Sequence, residues 1–200
     1  MKVYGDHNSG NCYKIKLLMS ILNLNCDWED VNILANETQT PTFLSKNPNG
    51  KIPVLELDDG RCLSESNAIV NYLATGSPLL PTDPFQQAKV FQWQFFEQYS
   101  HEPYIAVARF IAKYLDMPSD RKQEYEAKQA GGHKALGVME QCLFESDYLV
   151  GNQLTTADIS LFAYTHVAHE GGFNLSGYPA IVAWITRVMA HPGYVGMGSH

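Results

Sequence analysis

The sequence predicts an α/β domain followed by an all-α domain, and three observations support this division. Within the first 76 residues, short strand-like runs alternate with helical patterns in the order βαβαββα. Residues 77–84 contain three prolines, which is typical of a stiff linker. From residue 85 onward the apolar residues recur at helical spacing. We therefore expect domains at 1–76 and 85–200, joined by a linker at 77–84.

The α/β part begins with four elements whose order is plain from the pattern. We predict a strand at 2–5, a helix over 11–23, a second strand at 28–33 and a short helix over 40–46. Pro41 stands at the first position of the short helix, where its missing N–H costs nothing.

The Ile52-Pro53 dipeptide is the most informative local feature, because proline donates no hydrogen bond to a sheet. A cis bond at the first residue of the strand would keep it there and expose the backbone of Ile52. That backbone can pair with an extended peptide, as an added strand would. Asp58-Asp59-Gly60 predicts the turn of a hairpin.

A helix over 65–74 follows the hairpin, and we expect Ser64 to cap it. The first N–H groups of that helix and its dipole favour an anion. Together with the Ile52 backbone, this start predicts a receptor for a short peptide with a free carboxylate. A hairpin and a capped helix without a ligand is the alternative.

The second domain is predicted to be entirely helical. Pro103 bends or splits the chain between its first two helical stretches, and the Gly131-Gly132 pair weakens the middle of the third. Thr155 and Asp158 have the spacing of a capping box. The predicted helices span 85–100, 104–115, 120–146, a segment opening at Thr155, and 178–190.

Composition excludes several classes of function. The formal net charge is −7, and the sequence has no run of Lys and Arg residues that could bind successive phosphates of a nucleic acid. We therefore expect no nucleic-acid partner. No apolar stretch approaches the ~20 residues that span a bilayer, so we expect no membrane partner. The four cysteines form no Cys-x-x-Cys pair and no zinc-like pattern with histidine, so we expect no metal. The chain starts in a strand pattern without signal-peptide features, which predicts a cytoplasmic protein.

These motifs, taken together, resemble those of the cytosolic glutathione S-transferases, and bacterial or theta-like members are the most similar. The likeness rests on the 47–53 stretch ending in Ile52-Pro53, the Glu65-Ser66 pair, the linker, the helical second domain and the Thr155-x-x-Asp158 box. It implies a thioredoxin-like first domain, glutathione as co-substrate and a homodimer.

The resemblance also implies how glutathione is bound. The Ile52 backbone pairs with the cysteinyl unit beside a cis Pro53. Ser66 receives the γ-glutamyl carboxylate, and Glu65 faces the γ-glutamyl ammonium group. For Glu65 the alternative is an ordinary acid in the first turn of a helix.

Three further residues belong to this implied contact set. Lys51 approaches the glycyl carboxylate, with a solvated surface charge as the alternative. Thr38 and Gln39 occupy the positions where some classes of the family place a His-Lys contact, so their contribution stays open.

The reacting group is expected at Ser9, where the first strand turns into the first helix. Its register resembles that of the catalytic serine of theta-like and phi-like transferases. Lowering the thiol pKa of glutathione by ~2 units from a reference of about 8.5 requires ~2.7 kcal/mol. A hydroxyl hydrogen bond to a charged acceptor supplies roughly 1.5–3 kcal/mol, and the helix N-terminus adds about 0.3–1. Ser9 therefore needs only to donate.

Three neighbours of Ser9 are rival candidates. Asn11 donates an amide N–H to the sulfur or simply occupies the helix start. Cys12 forms a mixed disulfide with glutathione or is a packed free thiol, which we favour from its match to the second cysteine of the thioredoxin motif. Tyr4 is interpreted as a strand residue.

The resemblance places the electrophile between the domains, over the thiolate, and the candidates lie on the helix after Pro103. Tyr104, Ala108 and Arg109 are the residues we select; aromatic residues at helical spacing are otherwise typical of bundle core. Neighbouring candidates are Val107, Phe110, Tyr194 and Met197, and a polar cluster of Glu97, Gln98, His101 and Glu102 is expected near a partner subunit.

Three functions compete at this point. The first is conjugation of glutathione to a hydrophobic electrophile. The second is a glutathione-dependent peroxidase or disulfide oxidoreductase, whose thiol-exchange form is disfavoured by serine at position 9. The third is a non-catalytic relative that binds glutathione.

Overall fold

A computed structural model describes residues 1–198, which form two compact units. The first unit comprises Met1–Ser77 together with the C-terminal segment from His191, and the second comprises Pro78–Ala190. The boundary lies one residue from the predicted end of the α/β domain. The C-terminal segment, predicted with the helical domain, packs on the α/β unit instead. The predicted linker belongs almost entirely to the helical unit.

The α/β unit is built on a four-stranded mixed sheet with the order β2-β1-β3-β4. The strands are β1 (Lys2–Gly5), β2 (Asp27–Asp30), β3 (Val54–Glu56) and β4 (Cys62–Ser64). β1 and β2 are parallel, and a parallel pair needs a crossover, which helix α1 (Gly10–Ile21) provides. β3 pairs antiparallel with both β1 and β4.

Two more helices complete this unit, the short α2 (Pro41–Leu44) and α3 (Ser66–Ala74). Helix α3 packs against α1. The core consists of side chains such as Val3, Leu55 and Ile69, all of which are fully buried. The βαβαββα order and the thioredoxin-like class predicted from the sequence are thereby confirmed.

The second unit is helical, as predicted, and contains α4 (Pro84–Phe96), α5 (Glu102–Arg109), α6 (Lys122–Glu145), α7 (Thr156–Thr165) and α8 (Pro179–Met189). At Pro103, where we expected a bend or a split, the structure has no split. A π-helical segment, Glu97–His101, joins α4 to α5 without a break. The wider turn tolerates the absence of a backbone N–H at proline. It also makes room for the proline ring, which would clash with the preceding turn of an α-helix.

The Gly131-Gly132 pair, which we expected to weaken the predicted helix, lies inside the continuous α6. A Cβ on Gly131 would lie 2.2 Å from the ring of Tyr104, and one on Gly132 would lie 2.2 Å from the ring of Phe173. The glycines are therefore where two aromatic rings lie directly on the helix backbone, and this packing offsets the low helix propensity.

The predicted capping box at the start of α7 is formed. Asp158 is fully buried and accepts hydrogen bonds from the backbone N–H groups of Thr155 and Leu149, each at 2.9 Å. It also accepts one from the indole N–H of Trp184 at 3.0 Å. Across residues 1–198, no helix is long and apolar enough to cross a membrane.

Candidate active site

The register of the sheet brings three separate segments to the same end of the sheet. Val54 pairs with Tyr4 on one side and with Ser64 on the other. The residues just before β3, just after β1 and just after β4 therefore lie at the same end of the sheet. These are the Ile52-Pro53 dipeptide, the turn that leads to Ser9, and the start of α3.

The Ile52–Pro53 peptide bond is cis, as the sequence predicted. Pro53 is buried, whereas Ile52 is half-buried and packs against the cluster formed by Tyr4, Val31, Phe43 and Val54. The loop before it is closed by Asn47, whose side-chain amide donates to the Lys51 carbonyl at 2.7 Å. The Ile52 backbone, which is expected to pair with the cysteinyl unit, is thus fixed by the packing of its own side chain and by the hydrogen bond of Asn47 to the preceding residue.

Thr38, Gln39 and Lys51 gather around this loop. The Gln39 side-chain amide donates to the carbonyl of Gly50 at 3.3 Å and to the Thr38 hydroxyl at 3.2 Å. Thr38 is buried, while Gln39 and Lys51 are exposed. Gln39 therefore fixes the loop from which the Lys51 side chain extends into solvent.

The start of α3 differs from the sequence prediction in its cap. Ser64 remains in β4, and Glu65 is the N-cap residue, without a side-chain capping bond. Its backbone lies at φ 68°, which is unusual for a residue with a side chain and costs about 1–3 kcal/mol. This conformation leaves the Glu65 side chain exposed and Ser66 buried in the first turn.

Ser9 is the N-cap of α1, with extended backbone at φ −74° and ψ 125°. Its Oγ accepts the Cys12 backbone N–H at 3.4 Å. Accepting that bond does not use the hydroxyl hydrogen, which can therefore be donated to a sulfur atom. The side chain is half-buried, so a ligand can reach it.

A hydrogen-bonded chain connects the starts of α1 and α3, which are more than fifty residues apart in sequence. The Ser66 hydroxyl donates to Asn11 Oδ1 at 3.1 Å. Lys14 Nζ in turn donates to Ser66 Oγ at 3.1 Å and to Asn67 Oδ1 at 3.3 Å. Sequence reasoning missed Lys14. The available signal is its position three residues after Asn11, which places both side chains on one face of α1.

The surroundings of Cys12 and Tyr4 bear on the rival assignments. Cys12 is fully buried, and burial raises the pKa of its thiol to about 12. Tyr4 is buried in β1 and its hydroxyl donates to Glu56 at 2.7 Å. Neither surrounding is that of a group poised to activate or attack a thiol, and the choice among Ser9, Asn11 and Cys12 stays a prediction.

The candidate residues for the second substrate lie in the helical unit. Ala108 is fully buried, and the buried Arg109 donates from Nε to Glu170 at 2.6 Å. Tyr104 is half-buried, with its ring over Gly131. Tyr104 and Ala108 are thus packed, and Arg109 forms an ion pair. The contact of these side chains with an electrophile stays a prediction.

The further candidates from the sequence analysis lie in both units. His101 is buried with its ring nitrogen 2.9 Å from the Thr165 hydroxyl. Tyr194 and Met197 belong to the C-terminal segment of the α/β unit. Within the described part of the chain, no group of three or more His, Cys, Asp or Glu residues is arranged to hold a metal ion.

Comparisons with known proteins agree with this architecture. The family described as glutathione S-transferase, N-terminal domain, matches residues 1–75, and the corresponding C-terminal domain family matches residues 93–192. A glutathione S-transferase structure from Pseudomonas fluorescens [Pf-5] is 60% identical, with a TM-score of 0.98 over 99% of this chain and 98% of that one.

Two further relatives extend the likeness. Glutathione S-transferase F13 of Arabidopsis thaliana is 31% identical over 207 residues, covering 98% of this chain and 93% of that protein. A structure described as Ure2p in complex with glutathione is 25% identical, with a TM-score of 0.84 over 96% of this chain and 95% of that one.

The fold is therefore that of a two-domain, thioredoxin-like transferase. The chain belongs to the glutathione S-transferase family, and it is an enzyme of the glutathione transferase type, as the sequence predicted.

Proposed function

We propose that the protein stabilises the thiolate of glutathione through Ser9 and conjugates it to a hydrophobic electrophile. The observation that carries this proposal is the 3.1 Å bond from Ser66 to Asn11, which joins the starts of α1 and α3. A single tripeptide can then reach Ser66 with its γ-glutamyl end and Ser9 with its sulfur.

The proposed binding mode uses the segments at that same end of the sheet. Glutathione pairs through its cysteinyl unit with the backbone of Ile52, beside Pro53. Its γ-glutamyl carboxylate meets Ser66 and the N–H groups of the first turn of α3, and its ammonium group faces the exposed Glu65. The exposed Lys51 meets the glycyl carboxylate. Binding of glutathione by the related Ure2p supports this ligand.

The chemistry requires only that the thiol ionise and attack. Ser9 donates its hydroxyl hydrogen to the sulfur, the thiol proton passes to solvent, and the thiolate forms a bond to an electrophilic carbon. With an aryl halide, the halide leaves with the bonding electrons. A homodimer and a cytoplasmic location are further parts of this proposal, and they rest on the family resemblance.

Turnover assays with three substrates test the proposal. We expect the purified protein to conjugate glutathione to a chromogenic aryl halide, and Ser9→Ala to lower kcat/KM by about tenfold to a hundredfold, because a hydroxyl bond to a charged acceptor contributes roughly 1.5–3 kcal/mol. Asp83→Ala is the matched control. It removes the N-cap of α4, whose side chain accepts the Gln86 N–H at 2.9 Å, and should leave kcat/KM unchanged.

Other outcomes would select a rival. Turnover of cumene hydroperoxide or hydroxyethyl disulfide without aryl conjugation would favour the peroxidase or oxidoreductase. Binding of glutathione without any turnover would favour a non-catalytic relative. An active Ser9→Ala variant beside an inactive Asn11→Ala or Cys12→Ser variant would overturn the assignment of Ser9.

A further inference from the structure

Asn47 is a buried asparagine that fixes the turn over 47–50 through its side chain and its carbonyl. The carbonyl accepts the Gly50 N–H at 2.9 Å, and Oδ1 of the side chain accepts the Asn49 N–H at 3.1 Å. The side-chain nitrogen donates to the Lys51 carbonyl at 2.7 Å. Both ends of the Asn47 amide are therefore bonded to the backbone of one loop.

The Gln39 side chain closes the other side of this turn. Gly50 has φ +62°, and a Cβ there would lie 2.5 Å from the Gln39 side-chain nitrogen. That nitrogen donates to the Gly50 carbonyl at 3.3 Å. The peptide unit between Lys51 and Ile52 thus follows a turn that is held from two directions.

The Lys51 carbonyl and the Ile52 N–H belong to this same peptide unit. The unit is planar and trans, so its C=O and its N–H point in opposite directions. Because Asn47 holds the carbonyl, it also sets the direction of the Ile52 N–H, which points away from Asn47. Among the residues that the structure describes, the Ile52 N–H has no hydrogen-bond partner, so a ligand can accept from it.

We propose that Asn47 is a positioning residue that aims the Ile52 N–H at the carbonyl of the cysteinyl unit of glutathione. It is buried, and it acts through the peptide unit between Lys51 and Ile52. This inference rests on the proposed function, in which glutathione pairs with the Ile52 backbone as an added strand would. Replacing a merely structural asparagine would weaken every ligand of the site by the same factor.

Calorimetric titration with two ligands separates these roles. One ligand is glutathione, and the other is an analogue in which a trans carbon–carbon double bond replaces the cysteinyl–glycyl peptide bond. The analogue keeps the thiol and both carboxylates but lacks the cysteinyl carbonyl. The wild type should therefore bind the analogue about fivefold to tenfold more weakly than glutathione, as expected for one lost hydrogen bond. This comparison needs no variant.

Asn47→Ser is the main variant. A serine hydroxyl can still accept the Asn49 N–H, but it stops short of the Lys51 carbonyl. We expect the Kd of glutathione to rise about fivefold to tenfold and the Kd of the analogue to stay within about twofold of its wild-type value. Asn174→Ser is the matched control and should change neither Kd. Asn174 Oδ1 also accepts a backbone N–H, that of Ser176 at 2.9 Å, but it lies in the helical unit.

Asn47→Asp gives a second test that does not depend on the folding of the serine variant. Its carboxylate has nearly the same size and still accepts the Asn49 N–H, but it cannot donate to the Lys51 carbonyl. The added charge acts on both ligands alike, because both carry the same charges. We therefore expect the Kd of the analogue divided by that of glutathione to fall to about one, from about five to ten in the wild type.

The outcomes separate the two proposals. The assignment of Asn47 is overturned, and the proposed function stands, if the wild type binds glutathione and the analogue equally well. The same holds if a folded Asn47 variant keeps the wild-type ratio of the two Kd values. If the wild type does not bind glutathione, the proposed function fails and the assignment of Asn47 fails with it.

Discussion

Cys12 lies one helical turn after Ser9, and its environment makes it a poor nucleophile. It is fully buried, and a Cβ added to Gly5 would lie only 2.8 Å from its sulfur. Burial raises the pKa of its thiol to about 12, so almost no thiolate forms at neutral pH. These features favour the packed thiol over the mixed disulfide with glutathione.

Alkylation of the native protein with iodoacetamide at neutral pH tests this environment. The exposed Cys62 should be modified first and Cys12 should stay unmodified, because both access and thiolate are required. Peptide mass spectrometry before and after denaturation gives the measurement, and both cysteines should react once the chain is unfolded. Modification of Cys12 in the native protein at the rate of Cys62 would contradict this account.

Single residues differ in how far the sequence predicts them. The position of Ser9 at the start of α1 was predictable from its place between the first strand and the first helical pattern, although its N-cap geometry was not predicted. Lys14 was not, because its burial depends on the packing of α1 against α3, which joins residues 52 positions apart. The positive φ of Glu65 also carried no sequence signal, since that conformation is typical of glycine or asparagine.

At the scale of elements, the start of α7 is the best-defined local structure. Asp158 accepts bonds from Thr155, Leu149 and Trp184 while fully buried. Asp158→Ala would leave the donors of Leu149 and Trp184 buried without that acceptor. We expect a loss of about 2–6 kcal/mol in the free energy of unfolding, because each of these two buried donors left unpaired costs about 1–3 kcal/mol.

Asp83→Ala is again the matched control. Asp83 is also an N-cap acid, but it is exposed, and losing such a cap costs about 1 kcal/mol. Urea unfolding followed by circular dichroism compares the two variants with the wild type. Equal losses would show that burial of the Asp158 network adds nothing beyond an ordinary cap.

The elements themselves followed the hydrophobic pattern closely, and the departures have local causes. Thr155 and Asp158 predicted the start of α7 because the capping box depends on neighbouring residues alone. Pro103 predicted a bend or a split, and the structure has an unbroken π-helical segment, whose wider turn tolerates the donor that proline lacks. The Gly131-Gly132 pair predicted a weak middle of α6, and aromatic rings from distant parts of the sequence pack there and offset the low helix propensity of glycine.

At the scale of the whole chain, the segment from His191 belongs to the α/β unit although it is last in sequence. The Tyr13 hydroxyl donates to the Val195 carbonyl at 2.8 Å. Gly193 has φ +84°, and a Cβ there would lie 2.9 Å from the Ser20 carbonyl oxygen. A short segment without periodicity gives no sequence signal for such docking, so only the succession of the two domains was predictable.

Gly193→Ala should therefore destabilise the α/β unit. We expect a loss of about 1–3 kcal/mol, because the left-handed backbone and the close contact both oppose a side chain. Gly196→Ala is the control in the same segment, where an added Cβ meets nothing within 4 Å. Urea unfolding of both variants gives the comparison, and indistinguishable stabilities would refute the docking of this segment.

The ionisation of bound glutathione tests the central claim, that Ser9 stabilises its thiolate. The ultraviolet absorbance of the thiolate is titrated against pH in the wild type, in Ser9→Ala and in Asn11→Ala, each saturated with glutathione. We expect an apparent pKa about 2 units below the reference of about 8.5 in the wild type, and a value at least about 1 unit higher in Ser9→Ala. An unchanged pKa in Ser9→Ala, with the shift found in Asn11→Ala instead, would contradict the account.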